Sequence, residues 1–136
     1  MKSAEARFSL VALAVSLVSF CAAPALAQLP SQPCDSYTTT NEIYQCLLRE
    51  YVVADSLLNT TYAIRQAVLK SYSLPRSQAL TAAQRAWISL RDLDCASEGK
   101  AFDGGTFEKV IVQGCLVRKT QERTRYLETH YETEAP

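Results

Sequence analysis

The chain has 136 residues with 14 basic and 14 acidic side chains, one histidine and five cysteines, and it carries no formal net charge. This length suits a single domain with one core, and a balanced charge excludes the basic surface of a typical nucleic-acid-binding protein. With 48% hydrophobic and 9% aromatic residues, the chain is too apolar for an intrinsically disordered protein. The composition therefore indicates one globular domain, for which no nucleic-acid partner is expected.

The N-terminal segment has the pattern of a secretory signal peptide. Lys2 and Arg7 precede an uncharged run over residues 8–23, and Ala-Leu-Ala then ends at Ala27. A basic start, an apolar middle and small residues before the cleavage point define such leaders. We therefore predict a signal peptide over 1–27, and a secreted or periplasmic bacterial protein.

Two other interpretations of this leader are not favoured. Its uncharged run is shorter than the roughly 20 residues that a membrane-spanning helix needs, so no membrane span is expected. A lipid anchor on Cys21 is not expected either, because the bulky Phe20 stands where lipoprotein signals carry a small residue.

Cleavage after Ala27 changes the cysteine count from odd to even. The mature chain would have 109 residues and a net charge of −1, because Lys2, Glu5 and Arg7 leave with the leader. An even set in an oxidising compartment predicts two disulfides. No Cys-x-x-Cys pair is present and His130 is remote in sequence from every cysteine, so no metal site and no cofactor are expected. The four remaining cysteines are Cys34, Cys46, Cys95 and Cys115.

The first predicted helix follows an extended, proline-containing arm over residues 28–38. Thr39 and Glu42 have the spacing of a capping box, in which each side chain satisfies a free backbone N–H of the other. Apolar residues then recur at helical spacing, which predicts a helix over Asn41–Lys70. The stripe consists of Leu47, Tyr51, Ala54, Leu58, Tyr62 and Leu69, and it is widened by Ile43, Leu57, Ile64 and Val68.

The second predicted helix follows a turn at residues 71–76. Pro75 disfavours helical backbone at the residue before it, and Ser77 can cap the new helix, which should extend to about Ser97. Asp94 lies beside the apolar stripe, and we expect it to pair with a cation. The stripe consists of Leu80, Ala83, Trp87 and Leu90, with Trp87 as a core anchor.

The third predicted helix follows a glycine-rich loop over residues 98–106. Thr106 can cap it, and the residues after Tyr131 should form a frayed tail over 132–136, so that the helical domain spans 39–131. Its apolar stripe consists of Val110, Ile111, Cys115, Leu116, Tyr126 and Leu127.

Three helices with short connections predict an all-α fold, a small antiparallel three-helix bundle stapled by two disulfides. In such a bundle Cys46, Cys95 and Cys115 lie at one end. Pairing Cys34 with Cys46 and Cys95 with Cys115 closes two local loops and is slightly favoured. Pairing Cys46 with Cys95 and Cys34 with Cys115 is the alternative.

The sequence offers no convincing catalytic set, so an enzyme is not expected. Asp92 and Asp94 are two positions apart on a helix and point about 200° apart, so they cannot flank one bond. Asp55, Asn59 and Arg91 fall near the core, where a charge needs a partner. We expect Asp55 and Arg91 to meet across the first two helices, with Asn59 completing a network that fixes helix register.

Several motifs in combination resemble the LprI-like family of small secreted proteins. They are A-D-x-x-L-N-x-x-Y from Ala54, A-Q-R-x-W-x-x-x-R-D-x-x-C from Ala83, a Gly-Gly-Thr turn from Gly104, and T-x-x-R from Thr120. Lys119 departs from the family pattern, where a leucine is expected. The resemblance covers nearly the whole mature chain and implies a bacterial, extracytoplasmic helical domain. The matched scaffold residues are Asp55, Asn59, Tyr62, Gln84, Trp87, Arg91, Asp92, Cys95, Cys115 and Arg123.

The family is named for lysozyme inhibition, and the resemblance therefore implies a protein partner such as a lysozyme. The glycine-rich loop is the element that we expect to project into a partner, through Phe102, Asp103, Gly104 and Gly105. The alternative is a periplasmic protein-interaction or immunity module whose partner is not a lysozyme.

Overall fold

The computed structural model describes residues 34–131, which form three helices and no strand within that range. Helix α1 spans Thr40–Tyr72, α2 spans Leu74–Gly99 and α3 spans Glu108–His130, with a short 3₁₀ turn at Lys100–Phe102. Each helix packs against the other two. The predicted all-α three-helix bundle is therefore confirmed.

Both disulfides follow the pairing that the sequence slightly favoured. Cys34 bonds to Cys46 and Cys95 to Cys115, with Cα atoms 5.7 Å and 5.4 Å apart. The first bridge ties the preceding segment to the start of α1, and the second ties the end of α2 to α3. Both bridges lie at one end of the bundle.

The start of α1 shows the predicted capping box. The Glu42 backbone N–H donates to Thr39 Oγ1 at 3.3 Å, and the Thr39 backbone N–H donates to Glu42 Oε2 at 3.2 Å. These two bonds satisfy backbone donors that the first helical turn leaves free. The helix begins at Thr40 and continues to Tyr72, slightly beyond the predicted range at both ends.

The connection between α1 and α2 is shorter than predicted. Only Ser73 interrupts the helices, and α2 begins at Leu74, so the expected turn over 71–76 is wrong. Pro75 lies in the first turn of α2, where a proline is tolerated because its missing N–H would have no helical partner. Ser77 does not cap this helix; its buried hydroxyl donates to Gln66 Oε1 at 2.6 Å.

The second connection also differs from the prediction in detail. Helix α2 reaches Gly99, and α3 begins at Glu108 after Phe107, whose side chain makes no capping hydrogen bond. The expected cap by Thr106 is therefore wrong. The chain instead enters α3 through turns closed by backbone bonds, such as Glu108 N–H to Gly105 O at 3.2 Å.

The core consists of two apolar clusters along the bundle. One lies at the bridged end and contains Cys34, Cys46, Leu47, Val110 and Val117. The other lies toward the opposite end and contains Leu58, Leu69, Leu80 and Leu127.

Several predicted segments fall outside the described residues. The leader 1–27 with Cys21, residues 28–33 of the arm, and the tail 132–136 all do so. The described part of the arm begins with a turn at 34–36, not an extended segment. No helix in residues 34–131 combines the length and apolarity needed to cross a bilayer.

Candidate functional site at the bridged end

The segment between α2 and α3 projects from the bridged end of the bundle. We call residues 100–107 the α2–α3 loop. The Cys95–Cys115 bridge closes its base, and every residue of the loop is exposed. Because the bridge joins the two helices that flank the loop, the loop has less conformational entropy to lose when it binds, which favours recognition.

Polar contacts hold the shape of this loop. Lys100 Nζ donates to Asp103 Oδ1 at 3.2 Å and to Glu108 Oε1 at 3.4 Å. The hydrogen bond and the charge of Asp103, followed by the charge of Glu108, raise the pKa of Lys100 above its ordinary value. Gly104 takes a φ of 77°, which a residue with a side chain rarely adopts, and the Gly105 N–H donates to Phe102 O at 2.9 Å.

The loop presents an aromatic side chain beside a carboxylate. Phe102 is 42% exposed and meets the ring of Phe107 edge-on, with centroids 5.7 Å apart. The predicted partner-binding residues Phe102, Asp103, Gly104 and Gly105 thus form one continuous exposed turn. Phe107, which the sequence did not single out, supports the ring of Phe102.

Two open grooves flank the start of α3 at this end. One, of about 580 Å³, runs beside the first disulfide and contains Asp35, Glu98 and Arg118. Arg118 Nη2 donates to both oxygens of Glu98 at 2.9 Å. The other groove, of about 520 Å³, is lined by Tyr44 and Lys109 among others. The Lys109 Nζ atom lies 4.7 Å from the centroid of the Tyr44 ring. The hydrophobic periodicity of the sequence could not identify Glu98 or Arg118 as groove residues, because neither lies on an apolar stripe.

Apart from the turn at Gly104 and the Cys95–Cys115 bridge, the matched motif residues lie in the helices, away from this loop, and several of them tie the helices together. Arg91 lies 5.7 Å from the Tyr51 ring centroid and 5.1 Å from that of Trp87, and Arg123 lies 5.6 Å from Trp87 and 5.1 Å from Tyr126. Alternating guanidinium and aromatic groups thus connect all three helices. We call these five residues the cation–π ladder.

Hydrogen bonds from other motif residues extend this scaffold. Arg123 Nε donates to the side-chain oxygen of Gln84 at 2.9 Å, and Arg91 Nη1 donates to Thr120 Oγ1 at 3.4 Å. Tyr62 donates to Thr81 Oγ1 at 3.3 Å. Burial lowers the pKa of Arg123 from its ordinary value.

The predicted network of Asp55, Asn59 and Arg91 does not form. Asn59 Nδ2 donates to Asp55 Oδ2 at 2.9 Å, but Asn59 is exposed and Asp55 is half-buried. Arg91 pairs with Asp92, its neighbour on the same helix, at 2.8 Å. Arg91 instead meets α1 one turn before Asp55, at the ring of Tyr51, and donates to Thr120 on α3.

The two aspartates of α2 are each held in an ion pair. Asp94 pairs with Lys119 at 2.7 Å, which confirms the expected cation partner, and Lys119 is the residue that departs from the family pattern. Asp92 is exposed and pairs with Arg91. Residues 34–131 contain no cluster of three or more histidine, cysteine or acidic side chains that could bind a metal ion.

The fold, the bridges and the exposed loop define a class of protein. This is a disulfide-stapled, all-α domain, and the two bridges indicate an extracytoplasmic protein. The family model described as lysozyme inhibitor LprI matches residues 32–127. The chain therefore belongs to the LprI family.

Two curated proteins are similar to this chain in sequence. The chain is 35% identical over 124 residues to "Uncharacterized protein R02472" of Rhizobium meliloti strain 1021, covering 84% of this chain and 89% of that one. It is 28% identical over 112 residues to "Uncharacterized protein YecT" of Escherichia coli K12, covering 74% and 69%.

A solved structure shares the fold. The crystal structure of a DUF1311 family protein from Pseudomonas putida KT2440 superposes with a TM-score of 0.64. The two chains are 22% identical, and the match covers 71% of this chain and 97% of the other.

Proposed function

We propose that the protein binds and inhibits a peptidoglycan hydrolase of lysozyme type outside the bacterial cytoplasm, as a periplasmic or secreted protein released by cleavage near Ala27. The observation that carries this proposal is the match to the lysozyme inhibitor family over residues 32–127. The proposed role is to protect the cell wall of the producing cell.

The α2–α3 loop is the proposed inhibitory element. Lysozymes hydrolyse glycans with two carboxyl groups in a cleft, so an inhibitor must present a preformed projection that fits such a cleft. The exposed Phe102 ring would occupy a sugar-binding position, and Asp103 would attract cationic groups around the cleft. The Cys95–Cys115 bridge and the Lys100 ion pairs support this assignment, because they hold the loop in shape before binding.

A cell-wall lysis assay tests the proposal directly. The full chain is expressed, and its exported form is purified and added to lysozymes of several classes acting on bacterial walls. We expect the clearing rate to fall with increasing protein for at least one class. No inhibition at large molar excess against every class would refute the proposal, and capture of a non-hydrolase partner from an envelope extract would favour the interaction-module alternative.

A single substitution tests the assignment of the loop. Phe102→Ala removes the exposed ring without touching a disulfide, and we expect the inhibition constant to rise about tenfold or more, as for an interface hot spot. Tyr72→Ala is the matched control, since Tyr72 is similarly exposed but lies at the junction of α1 and α2. Equal inhibition by both variants and the parent chain would place the contact elsewhere.

A further inference from the structure

Helix α1 carries an exposed apolar face that no part of the described chain covers. Val52 and Val53 are 68% and 65% exposed, and Leu57 and Ile64 are 54% and 53% exposed. Val52, Val53 and Leu57 border a shallow hollow along the helix. Exposed apolar patches of a few hundred Å² are at the upper end of what monomeric proteins carry and mark interaction surfaces.

The pattern of this face is that of a helix–helix contact. Val53, Leu57, Thr60, Ile64 and Ala67 follow one another in alternating steps of four and three residues, and all five are exposed. Such spacing produces a straight stripe suited to another helix. We call these five residues the outer stripe of α1.

The outer stripe is also free of charge. Between Glu50 and Arg65 the only charged residue is Asp55, which is half-buried and lies on another side of the helix. A strongly acidic or basic partner would find nothing to pair with here. Exposed basic residues, Arg49 and Lys70, lie about one turn beyond each end of the stripe, and Arg65 within its span is half-buried and donates to the Glu128 carbonyl on α3.

We propose that the outer stripe of α1 is the contact between two copies of this chain. The stripe is self-complementary: a two-fold axis through Thr60 with the helices antiparallel brings Leu57 against Ile64 of the second copy, and Val53 against Ala67. A two-fold contact requires a surface that matches itself in this way. The predicted net charge of −1 for the mature chain keeps the repulsion between two copies small.

The stripe is small for a protein–protein contact. Joining two such faces buries on the order of 1,000 Å² in total, which is the lower end for specific interfaces. We therefore expect a weak, reversible dimer. Because the stripe lies on α1 and the α2–α3 loop lies at the bridged end, dimerisation leaves the loop free. The proposal does not depend on lysozyme inhibition.

Sedimentation equilibrium over a concentration series tests this contact. The exported form of the chain should show reversible dimer formation across about 1–1,000 µM. Ile64→Glu places a charge in the stripe and should weaken the association at least tenfold, while helix content by circular dichroism stays unchanged. Leu93→Glu is the matched control, because Leu93 is an exposed apolar residue on α2, and it should dimerise like the parent chain.

Three outcomes would overturn the proposal. The parent chain could remain monomeric up to about 1 mM, which would leave no role for a second copy. Leu93→Glu could abolish the dimer while Ile64→Glu does not, which would move the contact to α2. Spin labels at an introduced Thr60→Cys could lie far apart in the dimer, whereas a two-fold axis at Thr60 requires them to be close.

Discussion

Arg91 places a guanidinium group inside the bundle, where only 7% of the residue is exposed. A buried cation is costly unless its charge and its donors find partners. Asp92 supplies the opposite charge, Thr120 accepts a hydrogen bond, and the rings of Tyr51 and Trp87 offer their electron-rich faces. The charge is thus held by contacts with all three helices, which gives this residue a role in fixing their register.

Trp87 is the centre of the cation–π ladder, because it contacts both Arg91 and Arg123. We expect Trp87→Leu to lower the free energy of unfolding by about 2–3 kcal/mol, since it removes two cation–π contacts and part of a packed ring. Urea unfolding of the exported form measures this change. Ile88→Leu, an exposed neighbour, should change stability by less than about 0.5 kcal/mol. A loss below about 1 kcal/mol in Trp87→Leu would contradict a stabilising ladder.

The helix boundaries and the contacts between helices show which parts of the fold the sequence predicts well. Thr39 and Glu42 marked the start of α1 correctly, because a capping box depends only on residues that are close in the chain. The start of α2 was wrong, because Pro75 is compatible with both a turn and a first helical turn, and tertiary packing decides between them. The pairing of Asp55 with Arg91 was wrong because periodicity places both near the core without saying which residue each one meets there.

The two glycines at helix contacts offer a test of packing between elements. A Cβ atom on Gly99 would lie 2.5 Å from Val112 Cγ2 on α3, whereas on Gly114 its nearest such neighbour would be Leu47 Cδ1 at 3.8 Å. Gly99→Ala should therefore destabilise by about 1–3 kcal/mol, since the branched valine cannot move away easily. Gly114→Ala should stabilise by about 0.5–1 kcal/mol through helix propensity alone. Thermal unfolding of the two variants measures both changes in stability. If both substitutions stabilised the protein, the close contact of α2 with α3 at Gly99 would be contradicted.

In the molecule as a whole, the apolar clusters that stabilise the fold lie apart from the exposed surfaces that we propose to bind partners. The cation–π ladder and the two clusters stabilise the bundle, the bridged end carries the α2–α3 loop, and α1 presents its outer stripe to solvent. The sequence identified the loop because glycines and cysteines mark it. It did not identify the outer stripe, because Leu57 and Ile64 are apolar and periodicity assigns such residues to the core.

The balanced charge of the whole chain leads to a last prediction. After cleavage at Ala27 the chain would carry 12 basic and 13 acidic residues, so its net charge of −1 gives only a weak long-range attraction to a basic lysozyme. If the proposed inhibition depends on the local fit of the loop, the association rate should change by less than about threefold between about 20 and 300 mM salt. Stopped-flow or surface-binding kinetics with an inhibited lysozyme measure that rate. Lys70→Glu serves as the control, because it changes the net charge at an exposed position on α1 and should leave the inhibition constant unchanged. A fall of more than about tenfold with salt would show that charge steering, rather than the shape of the loop, governs recognition.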